Sequence, residues 1–144
     1  MLYEDTFRYD LWLKLVLGGI LAMMFIAGLV LITEDLTGAL VMLGATLFDA
    51  LLFKAILPQR VQIFEDRVKI VLGGPWSTSI PLTDIKEVRR ASAIKGFAYW
   101  GIRFATSTQN IVEIVRKRGW SVVISPSHPD SFIEELNKPR VLKT

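Results

Sequence analysis

The chain has 144 residues, of which 51% are hydrophobic, and a formal net charge of +3. It contains no cysteine and a single histidine, His128. This composition excludes a disulfide framework, a thiolate metal site and a thiol nucleophile, and it leaves almost nothing for histidine-based catalysis. The hydrophobic residues are concentrated before Pro58, and the remainder has the composition of an ordinary small domain. No catalytic residue, metal site or cofactor is predicted, and we expect a protein that is not an enzyme.

Residues 1–10 are predicted to form a cytoplasmic N-terminal segment. Tyr3, Phe7 and Tyr9 alternate there with charged residues, and Trp12 follows closely. These aromatic rings suit the headgroup region of a bilayer, where a ring has one dry side and one wet side. A short disordered tail before Tyr9 is the alternative.

The long apolar stretch at residues 11–57 is interrupted by consecutive polar residues only at Thr33-Glu34-Asp35. It predicts two helices, 11–32 and 36–57. The uncharged run at 15–32 would extend roughly 27 Å and the second helix roughly 33 Å, which is the thickness of a bilayer core. We therefore predict a transmembrane helical hairpin. A cleaved signal peptide fits poorly, because the first run has no Ala-x-Ala-like site and a second span follows at once.

The charges that flank the two spans are asymmetric. The link between the spans carries Glu34 and Asp35 and no basic residue, whereas basic residues flank the outer ends of both spans. These are Arg8, Lys14, Lys54, Arg60, Arg67 and Lys69. The positive-inside bias therefore predicts a multi-pass plasma membrane protein with both termini in the cytoplasm and the turn outside.

Asp49 defines a candidate intramembrane polar site. In an antiparallel hairpin it lies opposite Gly19, beside Gly18, and Lys14 lies near enough along the axis to reach toward it. A carboxylate at this depth costs roughly 2.5–3.5 kcal/mol on insertion scales. Asp49 is then either a relay or docking point for another membrane helix, or a carboxyl hydrogen-bonded within the hairpin or a homo-oligomer. Lys54 is interpreted as an anchor at the inner interface.

Residues 58–139 are predicted to form a cytoplasmic α+β domain, and residues 140–144 a tail. Alternating apolar residues and turn signals predict seven strands. Along β-like segment 111–116, Glu113 is expected to point outward, and Trp120 is expected to face inward on the last strand. A helix is then expected from Pro129, with Phe132, Ile133 and Leu136 on one face. The predicted strands are about 60–65, 68–72, 77–82, 85–92, 101–105, 111–116 and 120–124.

Three segments carry a family resemblance: Val61-x-Ile63-x-x-Asp66-x-Val68-x-Ile70; residues 79–85, Ser-Ile-Pro-Leu-Thr-Asp-Ile; and Val123-Ile124-Ser125-Pro126 with Pro129-x-x-Phe132-x-x-x-Leu136. In this order they resemble the bacterial pleckstrin homology (PH) domain family of small membrane proteins, in which a helical hairpin precedes the domain. The resemblance implies a seven-stranded antiparallel barrel or sandwich, formed by consecutive hairpins and closed by a C-terminal helix. It implies binding or assembly, with no established reaction.

The basic and aromatic surface residues are the remaining candidates for binding. Eukaryotic PH domains often bind phosphoinositides through a basic first hairpin loop, but here that loop is Glu65-Asp66-Arg67, so the lipid site is not carried over. The loop at 95–100 presents Lys95, Phe97, Tyr99 and Trp100, which either face a membrane or partner or close the end of the barrel. Arg116, Lys117 and Arg118 form a basic turn, and Arg89 and Arg90 a second cluster. Both suit orientation on an anionic leaflet or plain solvation better than nucleic acid.

These observations predict a non-enzymatic module for protein interaction or assembly at the inner membrane face. Its expected partners are the lipid bilayer and either another protein or further copies of the chain. An anionic-lipid sensor, or an accessory subunit of a transporter or channel that uses Asp49, is the alternative.

Overall fold

The computed structural model describes residues 1–92 and 102–139. Two long helices come first, α1 (Leu11–Leu31) and α2 (Leu36–Ile56), within one residue of the predicted bounds. Their mean hydropathy reaches 2.3 and 1.9, and few of their residues are buried. Both are therefore long and apolar enough to cross a membrane.

The two helices approach each other most closely in the halves next to their link. Gly28 is buried there, and an added Cβ would lie 2.8 Å from the side chain of Leu43. Ala39 and Thr46 are the buried residues of α2, and the Thr46 hydroxyl donates to the carbonyl of Met42 over 2.8 Å. Small residues thus allow close packing where the helices meet.

The first sheet contains four antiparallel strands in chain order: β1 (Tyr3–Thr6), β2 (Pro58–Ile63), β3 (Arg67–Leu72) and β4 (Ser77–Pro81). Strand β1 is a finding that the sequence did not predict. It pairs with β2 in a register that places Tyr3 opposite Ile63, and Asp5 is buried. The N-terminal segment is therefore an integral strand of the sheet, rather than a tail.

The second sheet contains β5 (Ile85–Arg90), β6 (Ile102–Phe104), β7 (Val112–Arg116) and β8 (Val122–Ile124). Their order is β5-β7-β8-β6, and β6 runs parallel to β8. The expected barrel of seven strands in consecutive hairpins is therefore not the described architecture, which has eight strands in two separate sheets. The reason is that the connection at 105–111 crosses over, so that β7 lies on the far side of β8 from β6.

The core lies between the two sheets, and a short C-terminal helix, α3 (Pro129–Asn137), packs against it through Phe132. Pro129 occupies the first turn of α3, where its missing N–H costs nothing. Ile133 and Leu136 pack against the same core, as predicted. The strand residues of this core are Val61, Ile63, Val68, Ile70 and Ile80 from the first sheet and Val112, Ile114, Val122 and Ile124 from the second.

The chain around β1 joins the two sheets. The N–H of Arg8 donates to the carbonyl of Ser125 over 2.9 Å, and the N–H of Ser127 donates to the carbonyl of Thr6 over 2.8 Å. Phe7 lies between these two bonds and is buried in the core. The first ten residues thus connect one sheet to the other.

Two side chains differ from their predicted exposure. Glu113, expected to point outward, is only 4% exposed and forms an ion pair with Arg89 across 2.7 Å. It does lie on the face opposite Val112 and Ile114, but that face is also covered. Trp120, expected to face inward, is 60% exposed because β8 begins only at Val122.

Candidate functional site at the helix–domain junction

The most distinctive site is the junction between the helical hairpin and the sheets. Only residues 7–10 separate β1 from α1, and only Leu57 separates α2 from β2. Hydrogen bonds also join the start of α1 to the second sheet and the end of α2 to the first. The junction therefore leaves the helices no flexible linker in this part of the chain.

Asp10 fixes the start of α1 to the loop between β6 and β7. Its carboxylate accepts hydrogen bonds from the Ser107 hydroxyl at 2.7 Å, from the Thr108 N–H at 2.7 Å and from the Thr108 hydroxyl at 2.8 Å. Its own N–H donates to the carbonyl of Thr106 over 3.0 Å. Helix α1 is thereby held to the second sheet.

The ionisation of Asp10 follows from these contacts. Burial raises the pKa of the carboxyl, but the hydrogen bonds from Ser107, Thr108 and Trp12 outweigh it, so the pKa is lowered below the ordinary aspartate value. Asp10 is therefore a carboxylate at neutral pH, as its four donors require.

Ser125 supports the same loop from the protein interior. Its buried hydroxyl oxygen accepts from the N–H groups of Thr106 and Ser107, each over 3.2 Å. The Thr106 hydroxyl in turn donates to the carbonyl of Arg8 over 2.5 Å. The chain just before Asp10 is therefore bonded to the same loop, and Ser125 in turn holds that loop.

The end of α2 is held by the turn between β3 and β4. The N–H of Gly73 donates to the carbonyl of Leu57, and the N–H of Gly74 to the carbonyl of Ala55, both over 3.0 Å. These acceptors belong to the end of the helix, where carbonyls have no partner within the helix. An added Cβ on Gly73 would lie 1.8 Å from the carbonyl oxygen of Lys54, so only glycine permits this approach.

Tyr9 links the start of α1 directly to the end of α2. Its hydroxyl, just before α1, donates to the carbonyl of Pro58, just after α2. Burial raises the pKa of Tyr9 to about 12, so the hydroxyl keeps its proton and remains a donor across the physiological range.

The predicted intramembrane polar site is not assembled within the single chain. Asp49 is partly exposed on α2, Lys14 is exposed on α1, and in the described residues no hydrogen bond or ion pair joins them. An added Cβ on Gly18 or Gly19 would meet nothing within 4 Å. Both glycines therefore face open space instead of packing against Asp49.

The basic turn at 116–118 is engaged in local structure. The Arg116 guanidinium contacts the Asp84 carboxylate at 2.6 Å, the N–H of Arg118 donates to it over 3.1 Å, and the Lys117 ammonium donates to the carbonyl of Thr83 over 2.9 Å. The hydrogen bond from Arg116 lowers the pKa of Asp84. Lys117 and Arg118 nevertheless remain exposed.

This turn lies at the end of the sheets opposite the helices. Ile111, just before β7, lines a cavity with Trp12 and Leu13 of α1, whereas the basic turn follows the last residue of β7. The N–H of Lys117 donates to the carbonyl of Asp84 over 2.7 Å, close to the loop that joins β2 to β3. Six-residue strands such as β2 and β3 separate the two ends by about 20 Å.

The predicted aromatic surface of Lys95, Phe97, Tyr99 and Trp100 lies outside the described residues. Among the residues that the structure does describe, sequence reasoning missed Asp10 and the Gly73–Gly74 pair as junction residues. The signal for Asp10 was its position directly before a helix, and the signal for the glycines was their adjacency ahead of Pro75. Neither signal identifies the residues that Asp10 or the glycines bind, because those residues come from other parts of the chain.

The model of the Bacterial PH domain family matches residues 61–140. This match covers more than half of the chain, so the chain belongs to that family, and the resemblance predicted from the sequence is confirmed. Comparisons with curated proteins and with solved structures gave no match.

Proposed function

We propose that this chain is an integral membrane protein that holds a partner at the inner face of the plasma membrane. The two helices cross the bilayer as a hairpin, both termini lie in the cytoplasm, and the PH-like domain acts as a non-enzymatic module for interaction or assembly.

The observation that carries this proposal is the linker-free junction. Two exposed apolar helices are joined to the domain by the Asp10 contacts on one side and the Gly73–Gly74 contacts on the other. A domain fixed in this way keeps one orientation relative to the helices, and hence to a bilayer that they cross. Such a fixed orientation suits a docking platform, because a partner does not have to order the domain before it binds.

The distal end of the domain is the proposed partner surface. Lys117, Arg118 and Trp120 are exposed there, and arginine and tryptophan are enriched among residues that dominate binding energy at interfaces. The alternative, an anionic-lipid sensor that uses this basic turn, is less well supported. The turn lies about 20 Å from the helix ends, which is more than twice the Debye length of about 8 Å in physiological salt.

The first experiment tests the topology. Single cysteines are introduced at Glu34, in the link, and at Asp66, in the β2–β3 loop, since both positions are exposed and the chain has no native cysteine. In intact cells an impermeant thiol reagent should label the Glu34 variant only, and the Asp66 variant should be labelled after permeabilisation. Labelling of both from outside would contradict the proposed orientation.

The second experiment tests the partner. A photo-crosslinking amino acid is placed at Lys117 and, as a matched exposed control, at Ser79 on the edge of the first sheet. In native membranes we expect one reproducible protein adduct at Lys117 that is weak at Ser79. If both positions yield only lipid adducts, protein docking at this end is wrong and lipid sensing replaces it. If the adduct contains a second copy of the chain, the module assembles with itself.

A further inference from the structure

We propose that the β3–β4 turn, residues 73–76, is a second membrane-contacting element, and that the Trp76 indole binds the headgroup region of the phospholipid bilayer. The inference rests on the proposed function, because it requires α2 to span the membrane. It adds a segment of the folded domain to the membrane-embedded surface.

The turn is fixed against the last turn of α2. Two backbone hydrogen bonds run from Gly73 to Leu57 and from Gly74 to Ala55. The site of an added Cβ on Gly74 lies 3.2 Å from the Ala55 Cβ and 3.1 Å from the Trp76 ring. The indole therefore lies beside the final residues of the helix, at the same level along its axis.

This level coincides with the edge of the hydrocarbon core. Helix α2 has 21 residues, which gives a length of about 31 Å, against about 30 Å for the core of a bilayer. When α2 crosses the membrane, Ala55 consequently lies near the boundary between acyl chains and headgroups. A turn in backbone contact with Ala55 occupies the interfacial layer.

The chemistry of Trp76 matches that layer. The ring is 55% exposed, and it offers an apolar body together with an N–H donor. Tryptophan is enriched at membrane interfaces for this reason. Trp12, in the first turn of α1, lies at the same end of the antiparallel hairpin and is also exposed. One aromatic anchor thus lies at the start of α1 and another beside the end of α2.

Trp120 provides an internal control. It is 60% exposed, nearly the same as Trp76, but it lies at the distal end of the domain, beyond the basic turn. Solvent exposure of the isolated chain therefore does not distinguish these two tryptophans. Contact with lipid distinguishes them, because in the proposed arrangement only Trp76 lies at the bilayer.

The experiment uses the full chain reconstituted in phosphatidylcholine vesicles. Variants that retain a single tryptophan at position 76 or at position 120 are made by replacing the other three native tryptophans with phenylalanine. A third variant lacks all four and carries Phe25→Trp in the second half of α1, about 6 Å past its midpoint. Fluorescence quenching by lipids brominated near the headgroup or deep in the acyl chain is compared with quenching by aqueous acrylamide.

We expect headgroup-proximal bromine to quench the emission of Trp76 more strongly than that of Trp120, since an interfacial tryptophan lies at the level of the headgroups, and acrylamide to quench Trp120 preferentially. Deep bromine should quench the Phe25→Trp variant. If that variant is quenched and Trp76 behaves like Trp120, the inference is overturned and the proposed span stands. If the Phe25→Trp variant is not quenched, both are overturned.

A second pair of variants keeps the test decisive if a tryptophan replacement impairs folding. Pro75→Cys and Arg118→Cys leave all four tryptophans in place and are each labelled with an environment-sensitive fluorophore. Emission from position 75 should shift to the blue on reconstitution and be quenched by the brominated lipid, whereas emission from position 118 should not change. Equal emission and quenching at the two positions would contradict the inference.

Discussion

Asp10 lies at the start of a helix, but its side chain forms its main hydrogen bonds with a loop that is distant in the chain. It is the N-cap residue of α1, yet its carboxylate makes no capping hydrogen bond to the backbone N–H groups of that helix. It binds Ser107 and Thr108 instead, and so contributes to a long-range contact rather than a local cap. A cap predicted from local sequence would assign the right residue and the wrong partner.

We expect Asp10→Asn to destabilise the protein by about 2 kcal/mol, the usual scale for hydrogen bonds to a charged group. The asparagine amide would direct N–H donors at the donors of Thr108 and lose one acceptor oxygen. Thermal unfolding in detergent micelles is the measurement. Asp66→Asn is the control, since Asp66 is exposed and only loosely paired with Arg67 at 3.7 Å. Equal melting temperatures for the two variants would contradict this role.

The pH dependence of stability should carry the signature of the same carboxylate. Because the pKa of Asp10 is lowered in the folded protein, its contribution is fully present above the unfolded value of about 3.9 and is lost as the pH falls through the lower, folded value. The stability difference between wild type and Asp10→Asn should therefore be constant from pH 7 to about pH 5 and shrink below about pH 4. A difference that grows on acidification would contradict the assignment.

At the scale of elements, the contact between the β3–β4 turn and α2 depends on the absence of a side chain. Gly73 has no positive φ, so its requirement is steric rather than conformational. Gly73→Ala places a methyl group against the backbone of Lys54, and we expect a loss of about 1–3 kcal/mol, as for overpacking. The control is Gly44→Ala, where nothing lies within 4 Å. Similar melting temperatures for both alanine variants would contradict the close contact.

The helical hairpin offers a second comparison between glycines. Gly28→Ile introduces a branched side chain against Leu43, whereas Gly18→Ile projects into open space. We expect only the first to separate the helices, measured as weaker disulfide crosslinking between cysteines introduced at Ala27 and Met42, which line one groove. If Gly18→Ile instead disrupts assembly without changing this crosslink, Gly18 packs against another copy of the chain.

At the scale of the whole molecule, we predict that any polar role of Asp49 depends on assembly. No contact within the described chain satisfies it, so a polar role requires a partner or further copies. A role in pairing predicts that Asp49→Asn keeps part of the oligomer and Asp49→Leu loses it, because asparagine can still hydrogen-bond and leucine cannot. Oligomer size in mild detergent is the measurement. If Asp49→Leu retains the native size, Asp49 has no role in pairing.

Both helices, the seven described strands from Pro58 onward and α3 could be predicted from sequence, because each has a local period or a local stop signal. Strand β1 could not, because its four residues, two of them adjacent acids, carry no strand pattern of their own and form a strand only by pairing with β2. The predicted exposure of Glu113 was wrong for a related reason. Alternation assigns a residue to a face of the sheet, but whether that face is covered depends on distant parts of the chain.

The sequence by itself determined the two apolar helices, the division at Pro58 and the membership of the PH family. These features depend on hydrophobic periodicity and on residues close together in the chain. Tertiary structure alone decided that the N-terminal strand joins the two sheets, that Asp10 and Gly73 fix the helices to the domain, and that the basic turn lies far from the helices. The bonds that join the two sheets connect Arg8 to Ser125 and Thr6 to Ser127, and the second pair lies 121 positions apart in the chain. Hydrogen bonds between such residues form only after the chain has folded, so local propensity carries no trace of them.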